Sequence, residues 1–208
     1  TGRGDRFVLL SDRGAGNGAV SYACRYHEAD LIVDAASKTV QLQLLATRFF
    51  KSPAGTSLVG SLEAHAKDLT EPSPSNWTAF DPEGIRASKN GTLFVSDEYG
   101  PRVVVVDEHG QVASEVDIPD VYRLYPAIDG QYTRGIYPNR GMEGIAETPS
   151  GQTKVIAIQS PLIQDAVIEG NKCLGLNCRW LLLDQANAPV KQVVYRLENV
   201  QTGVSEVL

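Results

Sequence analysis

The feature that most constrains this chain is a strand pattern that returns. Asp81-Pro-Glu-Gly-Ile-Arg86, a turn, Thr92-Leu-Phe-Val-Ser-Asp97, Arg102-Val-Val-Val-Val-Asp107 and Gln111 to Ile118 make one unit of short apolar runs. Gly141-Met-Glu-Gly-Ile-Ala146, Lys154-Val-Ile-Ala-Ile-Gln159, Arg179-Trp-Leu-Leu-Leu-Asp184 and Gln192 to Leu197 make a second. A partial copy runs through Phe7-Val-Leu-Leu-Ser-Asp12, Leu31 to Asp34 and Thr39 to Leu45. These runs are rich in Val, Leu and Ile and are bounded by Gly, Asn and Asp, as buried strands are. Only Ser61 to Leu69 has helical spacing. Four-stranded units in series predict an all-β chain, and a β-propeller in particular; a sandwich of the same strands gives no reason for Glu-Gly-Ile to return.

The spacings locate insertions. Glu83 to Glu143 is 60 residues and Asp97 to Gln159 is 62, which predicts a first turn longer by two. Arg102 to Arg179 is 77, which places 15 further residues between the second and third strands of the later unit. That insertion, Leu162 to Cys178, is expected as a loop over the mouth of the units. It carries Cys173-Leu-Gly-Leu-Asn-Cys178, where Gly175 and Asn177 allow the turn of a short disulfide loop. The alternative is two reduced thiols, and the pairing of Cys24 stays open. Four N or S ligands are not at hand for a zinc site.

A formal net charge of -6 and scattered Lys and Arg argue against nucleic acid as a partner. No apolar run approaches the ~20 residues of a membrane span. The sequons at Asn76 and Asn90 are compatible with secretion. Gly14 to Gly18 opens no helix, so it does not read as a nucleotide loop. There is no Gly-x-Ser-x-Gly elbow, and Arg3-Gly4-Asp5 reads as a chance tripeptide. Tyr122, Tyr125, Tyr132 and Tyr137 either wall a ligand pocket or cover the strand tops.

The chemistry is expected where strand ends converge. Neighbouring strands in a unit are antiparallel, so the start of the first and the end of the second share a face. Glu83, Asp97 and Glu98 fall there, with Asp12 and Arg13 from the partial unit and Glu143, Gln159 and Ser160 from the later one. Converging carboxylates repel unless a cation or arginines neutralise them. An all-oxygen set of Asp12, Glu83, Asp97, Glu143 and Gln159 favours Ca²⁺, with Mg²⁺ or Mn²⁺ behind it. Arg13, Arg102 and Arg140 offer bidentate recognition of an anionic substrate. Glu98 or Glu143 is the expected general base. The plainer reading is that such acids cap backbone N–H groups or hold units together.

Leu10-Ser-Asp-Arg-Gly14, Asp81 to Ile85, Val95-Ser-Asp-Glu-Tyr-Gly-Pro101, Asn139 to Ile145 and Ile158 to Leu162 together resemble the phytase-like esterase family, in that family's order. The Glu-Gly and Ser-Asp elements are also similar to those of calcium-dependent lactonase propellers. The resemblance implies a secreted or periplasmic β-propeller of about six blades when complete, of which residues 1–208 hold about three to four. It also implies hydrolysis of a small phosphorylated or other anionic ester, with Asp12, Arg13, Glu83, Asp97, Glu98 and Glu143 at the axial site. Two other functions stay open: a non-enzymatic binding propeller with a structural cation, and a lactonase-like hydrolase.

Overall fold

The computed structural model describes residues 4–70, 77–89, 91–124 and 132–207. Tyr125 and the Asn76 and Asn90 side chains of the two sequons lie outside them. The chain is mostly β, in antiparallel sheets none of which closes on itself. β1 (Gly4–Leu10), β3 (Arg25–Asp34) and β4 (Thr39–Phe49) form a three-stranded sheet, and the short β2 (Tyr22–Ala23) pairs with β5 (Val59–Gly60). Helix α1 (Leu62–Thr70) follows, close to the expected span.

The two complete repeats are two consecutive four-stranded meanders. The first is β6 (Pro82–Ala87), β7 (Leu93–Asp97), β8 (Arg102–Val106) and β9 (Val112–Glu115) in that order. The second is β10 (Met142–Glu147) and β11 (Lys154–Ile158), then, past the hairpin β12 (Val167–Glu169) and β13 (Lys172–Leu174), β14 (Asn177–Leu183) and β15 (Pro189–Arg196).

The sheets stack through side chains that alternate along each strand. Phe94 and Val103 point into one core with Met142, Ile145, Ile156, Ile158, Leu181 and Leu183 of the second meander. Their neighbours Leu93, Val95, Val104 and Val106 point the other way, onto Tyr26, Phe50, Leu58 and Phe80. The first meander is therefore covered on both faces, which is why all of β7 is buried. Tyr122, expected near the mouth, belongs to the first of these cores.

The pairing corrects the repeat alignment. Pro82 pairs with Asp97 and Met142 with Ile158, while Ile85 pairs with Val95 and Ile145 with Ile156. Asp97 therefore corresponds to Ile158, and Glu98 to Gln159, an offset of 61 rather than 62. Val104 pairs with Val95 and Leu181 with Ile156, so the later insertion is 16 residues rather than 15. In both units two residues of the inner strand, Glu83-Gly84 and Glu143-Gly144, face one residue of the next strand. This is a β-bulge, which bends a strand and re-aims its side chains.

The bulge lets the inner strands approach closely. A Cβ on Gly84 would stand 2.4 Å from the Glu143 carbonyl oxygen, so only glycine fits. The Gly84 N–H donates to Ser96 Oγ at 2.8 Å, and the Ser96 hydroxyl donates onward to the Glu143 carbonyl. One hydroxyl thus stitches the two inner strands together.

Candidate metal centre

The ends of β1, β7 and β11 and the starts of β6 and β10 meet at one edge, and five acids gather there. Carboxylate oxygens of Asp12, Asp81 and Glu83 lie within 4.8 Å of one another. Glu98 accepts the Gly141 N–H at 3.1 Å through Oε1, and its carboxyl faces that of Glu143. Asp81 is fully buried, Glu143 is 5% exposed, and Asp12 is open to solvent.

One buried cation faces these groups. Arg13 donates through Nη1 to Asp81 Oδ2 and to Asn139 Oδ1, and through Nε to Asn17 Oδ1 at 3.0 Å. Its Nη1 also lies 3.9 Å from Glu98 Oε2. Asn17 and Asn139 sit in the left-handed region, at φ 55° and 56°, where asparagine is tolerated better than most residues. The guanidinium lies 5.6 Å from the Tyr99 ring centre, and Tyr99 in turn stacks on His65 of α1 at 4.4 Å.

One arginine does not balance the acids. Burial first, then repulsion from neighbouring carboxylates, pushes Glu83 and Glu143 up to about 8. Burial pushes Asp81 up to about 9 despite Arg13, and raises Glu98 as well. Asp81 Oδ1 has no hydrogen-bond donor among the described residues; its carboxyl faces those of Asp12 and Glu83. An oxygen buried without a donor among other carboxylates is costly. A hard divalent cation would satisfy it, and an all-oxygen donor set suits such an ion. The residues present fit the ion.

Asp97 and Arg102 lie just outside this group and are engaged with each other. Arg102 Nε donates to Asp97 Oδ2 at 2.8 Å, and Asp97 Oδ1 accepts the N–H groups of Asp81 at 2.9 Å and Tyr99 at 3.1 Å. Asp97 is wholly buried, and Arg102 lies 3.9 Å over Trp77. The pair anchors the strand ends rather than offering a free ligand and a free guanidinium. Successive strand residues point to opposite faces, so Asp97 turns inward and Glu98 to the mouth.

In the second unit Gln159 stands where Glu98 stands in the first, with its Oε1 buried and without a donor. Ser160 donates to the Arg140 carbonyl at 3.4 Å. Arg140 lines a separate cavity of about 150 Å³ with Lys172, Cys173 and Gln201. The segment expected as a loop folds as a short helical turn and the hairpin β12–β13. The disulfide expected there is not formed. Cys173, Cys178 and Cys24 are buried free thiols, and burial beside Cys173 pushes Cys178 up to about 12.

The sequence reading missed Asp81 as a member of the acidic cluster, because the second unit carries Gly141 at that place and the acid does not return. It also missed Asn17, Asn139 and Tyr99, which act on Arg13 from positions far apart in sequence. The one signal was the left-handed preference of Asn beside Gly in Gly16-Asn-Gly18 and Asn139-Arg-Gly141.

A profile of the phytase-like family, described as the esterase-like activity of phytase, matches residues 1–208. The chain belongs to the phytase-like family. An uncharacterised secreted protein of Arthroderma benhamiae is 29% identical to this phytase-like chain, over 42% of the chain and 21% of the relative. The chain thus spans about a fifth of that relative's length. Among solved structures, the hydrazine synthase of Kuenenia stuttgartiensis aligns at 15% identity and a TM-score of 0.29, over 91% of this chain and 48% of the other. The inactive H270A virginiamycin B lyase of Staphylococcus aureus, solved with quinupristin, aligns at 11% and 0.26, over 93% and 89%. Neither score supports an argument from shared fold.

Proposed function

We propose that this phytase-like chain supplies adjacent blades of a secreted β-propeller of about six blades when complete, and that the protein is a divalent-cation-dependent hydrolase of small anionic esters, phosphoesters first. The single observation that carries this reading is the buried Asp81 Oδ1, without a donor among carboxylates that one arginine does not neutralise.

Asp12, Asp81 and Glu83 would hold the ion, Ca²⁺ before Mg²⁺ or Mn²⁺. The bound ion would polarise the ester oxygen and favour a nucleophilic water. Arg13 keeps Asp81 in place, with Asn17 and Asn139 holding the guanidinium flat. Glu143 takes up the proton of the attacking water as general base, with the Glu98 carboxyl beside it. Arg140 and Lys172, at the neighbouring cavity, are the cations placed to receive an anionic group.

The binding-propeller reading is favoured by one fact: each of the three guanidinium nitrogens of Arg13 already donates to Asp81, Asn139 or Asn17, which leaves it little to offer a substrate. Turnover separates the two. Phosphomonoester and carboxyl-ester panels should be run on the full-length protein with Ca²⁺, Mg²⁺, Mn²⁺ or a chelator, beside Glu143→Gln. Cation-dependent turnover that falls at least about 100-fold in Glu143→Gln is expected of a general base. Absence of turnover with every metal, together with retained cation binding, would replace the hydrolase by the binding module.

A further inference from the structure

Glu83 and Glu143 occupy matching bulge positions on successive inner strands, and the same register continues one step further along the chain. Gly84 faces the next inner strand at Glu143 and Ile145, where its Cβ would meet the Glu143 carbonyl at 2.4 Å and the Ile145 nitrogen at 3.1 Å. Gly144 likewise faces the segment Val204–Val207: its Cβ would meet Glu206 Oε1 at 2.5 Å, the Val207 nitrogen at 2.6 Å and Glu206 Cα at 2.9 Å.

Two sets of hydrogen bonds agree. Gly141, two residues before Glu143, donates its N–H to the side chain of Glu98 at 3.1 Å. Val204, two residues before Glu206, donates its N–H to the carbonyl of Gln159 at 2.9 Å. Glu98 and Gln159 are the equivalent residues beyond the second strands. Arg86, in β6, reaches both segments, through Nε to the Ile145 carbonyl at 2.9 Å and through Nη2 to the Val207 carbonyl at 3.4 Å. Val204–Val207 therefore lies against β10 as β10 lies against β6.

We infer that Glu206 is the third member of this series, a further carboxylate ligand of the axial divalent cation. The inference rests on the cation reading above. At the same mouth Asp81 Oδ1, on a side chain with no exposure, and Gln159 Oε1, whose side chain packs against Gly203 on the approach to Glu206, have no donor among the described residues. Glu206 is exposed and its Oε1 accepts the N–H of Val207 at 2.8 Å. Turning the side chain toward the mouth gives up that one local contact. Glu83 and Glu206, with Asp12 and Asp81, supply four carboxylates toward the six to eight oxygens, some of them bidentate or from water, that calcium takes.

The test is calorimetric titration of the full-length, chelator-treated protein with Ca²⁺ alone, comparing the parent with Glu83→Gln, Glu206→Gln, Glu206→Asp and Glu198→Gln. Glu198 is an exposed acid beside the same segment and controls for net charge. Loss of one anionic ligand should weaken Ca²⁺ binding roughly tenfold in both Glu83→Gln and Glu206→Gln. Glu206→Asp should stay within a few-fold of the parent, and Glu198→Gln should leave the affinity unchanged. If Glu83→Gln weakens binding while Glu206→Gln matches Glu198→Gln, Glu206 is outside the site and the cation reading survives. If the parent takes up no Ca²⁺, both fall. Circular dichroism in chelator separates a misfolded Glu206→Gln from a loss of affinity; should that variant misfold, Glu206→Ala decides, a roughly tenfold loss supporting the ligand role and a value equal to Glu198→Gln overturning it.

Discussion

Consider the cation-free protein titrated from pH 5.5 to 7.5. In the unfolded chain Asp81 and Glu143 ionise near their ordinary values of about 4, whereas in the fold they hold protons up to about 9 and about 8. Across that window the folded state binds more protons than the unfolded one, so stability falls as pH rises, and the contribution is fully present only below the unfolded values. Each retained proton is worth about 1.4 kcal/mol per pH unit. Because the cluster titrates as a unit, one retained proton is the floor, which gives a loss of about 2.7 kcal/mol over the two units. That is a large share of a stability of about 5–15 kcal/mol. The acids held low by hydrogen bonds, Asp34, Asp107 and Glu147, act only below the ordinary carboxylate range of about 4. His65, lowered by burial, works in the opposite sense near pH 6, so the measurement belongs in a His65→Gln background. Urea midpoints at half-unit pH steps, with chelator and with millimolar Ca²⁺, give the slope directly. A bound cation should flatten it by taking the place of the protons, with about one proton released per ion in calorimetry. A chelator curve that is flat or rising between pH 5.5 and 7.5 would refute the reasoning, because the acids would then be ionised without a partner.

Two further outcomes follow from the geometry. Gly84→Ala drives a methyl into the Glu143 carbonyl, and the backbone cannot yield without parting the inner strands; a loss of about 1–3 kcal/mol in chemical unfolding is expected, against little change for Gly55→Ala beyond the backbone cost of its positive φ. Asp97→Ala leaves Arg102 and two N–H groups unmatched at a buried strand end and should cost about 3–5 kcal/mol, while a ligand role for Asp97 would instead show as a loss of Ca²⁺ affinity in a stable protein.

The meanders were legible because runs such as Arg102-Val-Val-Val-Val-Asp107 leave no other way to bury their side chains. The register was less so. Ser96-Asp97 and Gln159-Ser160 look alike as polar strand ends, but turn residues can be added on either side of a tight turn without changing the flanking pattern. Only pairing fixes that Gln159 answers to Glu98. A one-residue slip exchanges the two faces of a strand. It is the reason Asp97 and Arg102 read as site residues when they brace one another. Asp81 was hidden for the opposite reason: it sits at the start of the quoted repeat but does not recur, so an argument from repetition passes over it. The strands β2, β5, β12 and β13 are two or three residues each and carry no periodicity to read.

Arg13 has a temporal side that the finished fold conceals. It leaves the ribosome before both of its partners: its carboxylate partner Asp81 lies 68 residues further on and its amide partner Asn139 lies 126 residues further on. At about 5–20 residues per second, Asn139 emerges about 6 to 25 seconds after Arg13. The first meander can close on itself in that interval, since its strands are joined by short turns, whereas the mouth has to wait for three stretches of chain to meet. The cluster is thus a late, long-range closure laid over sheets that form locally. A chain stalled before Asn139 would hold the first meander with Asp81 and Glu83 already crowded together and Arg13 not yet fixed, and it is in that half-made state that a free divalent cation in the surroundings would matter most to whether folding goes forward.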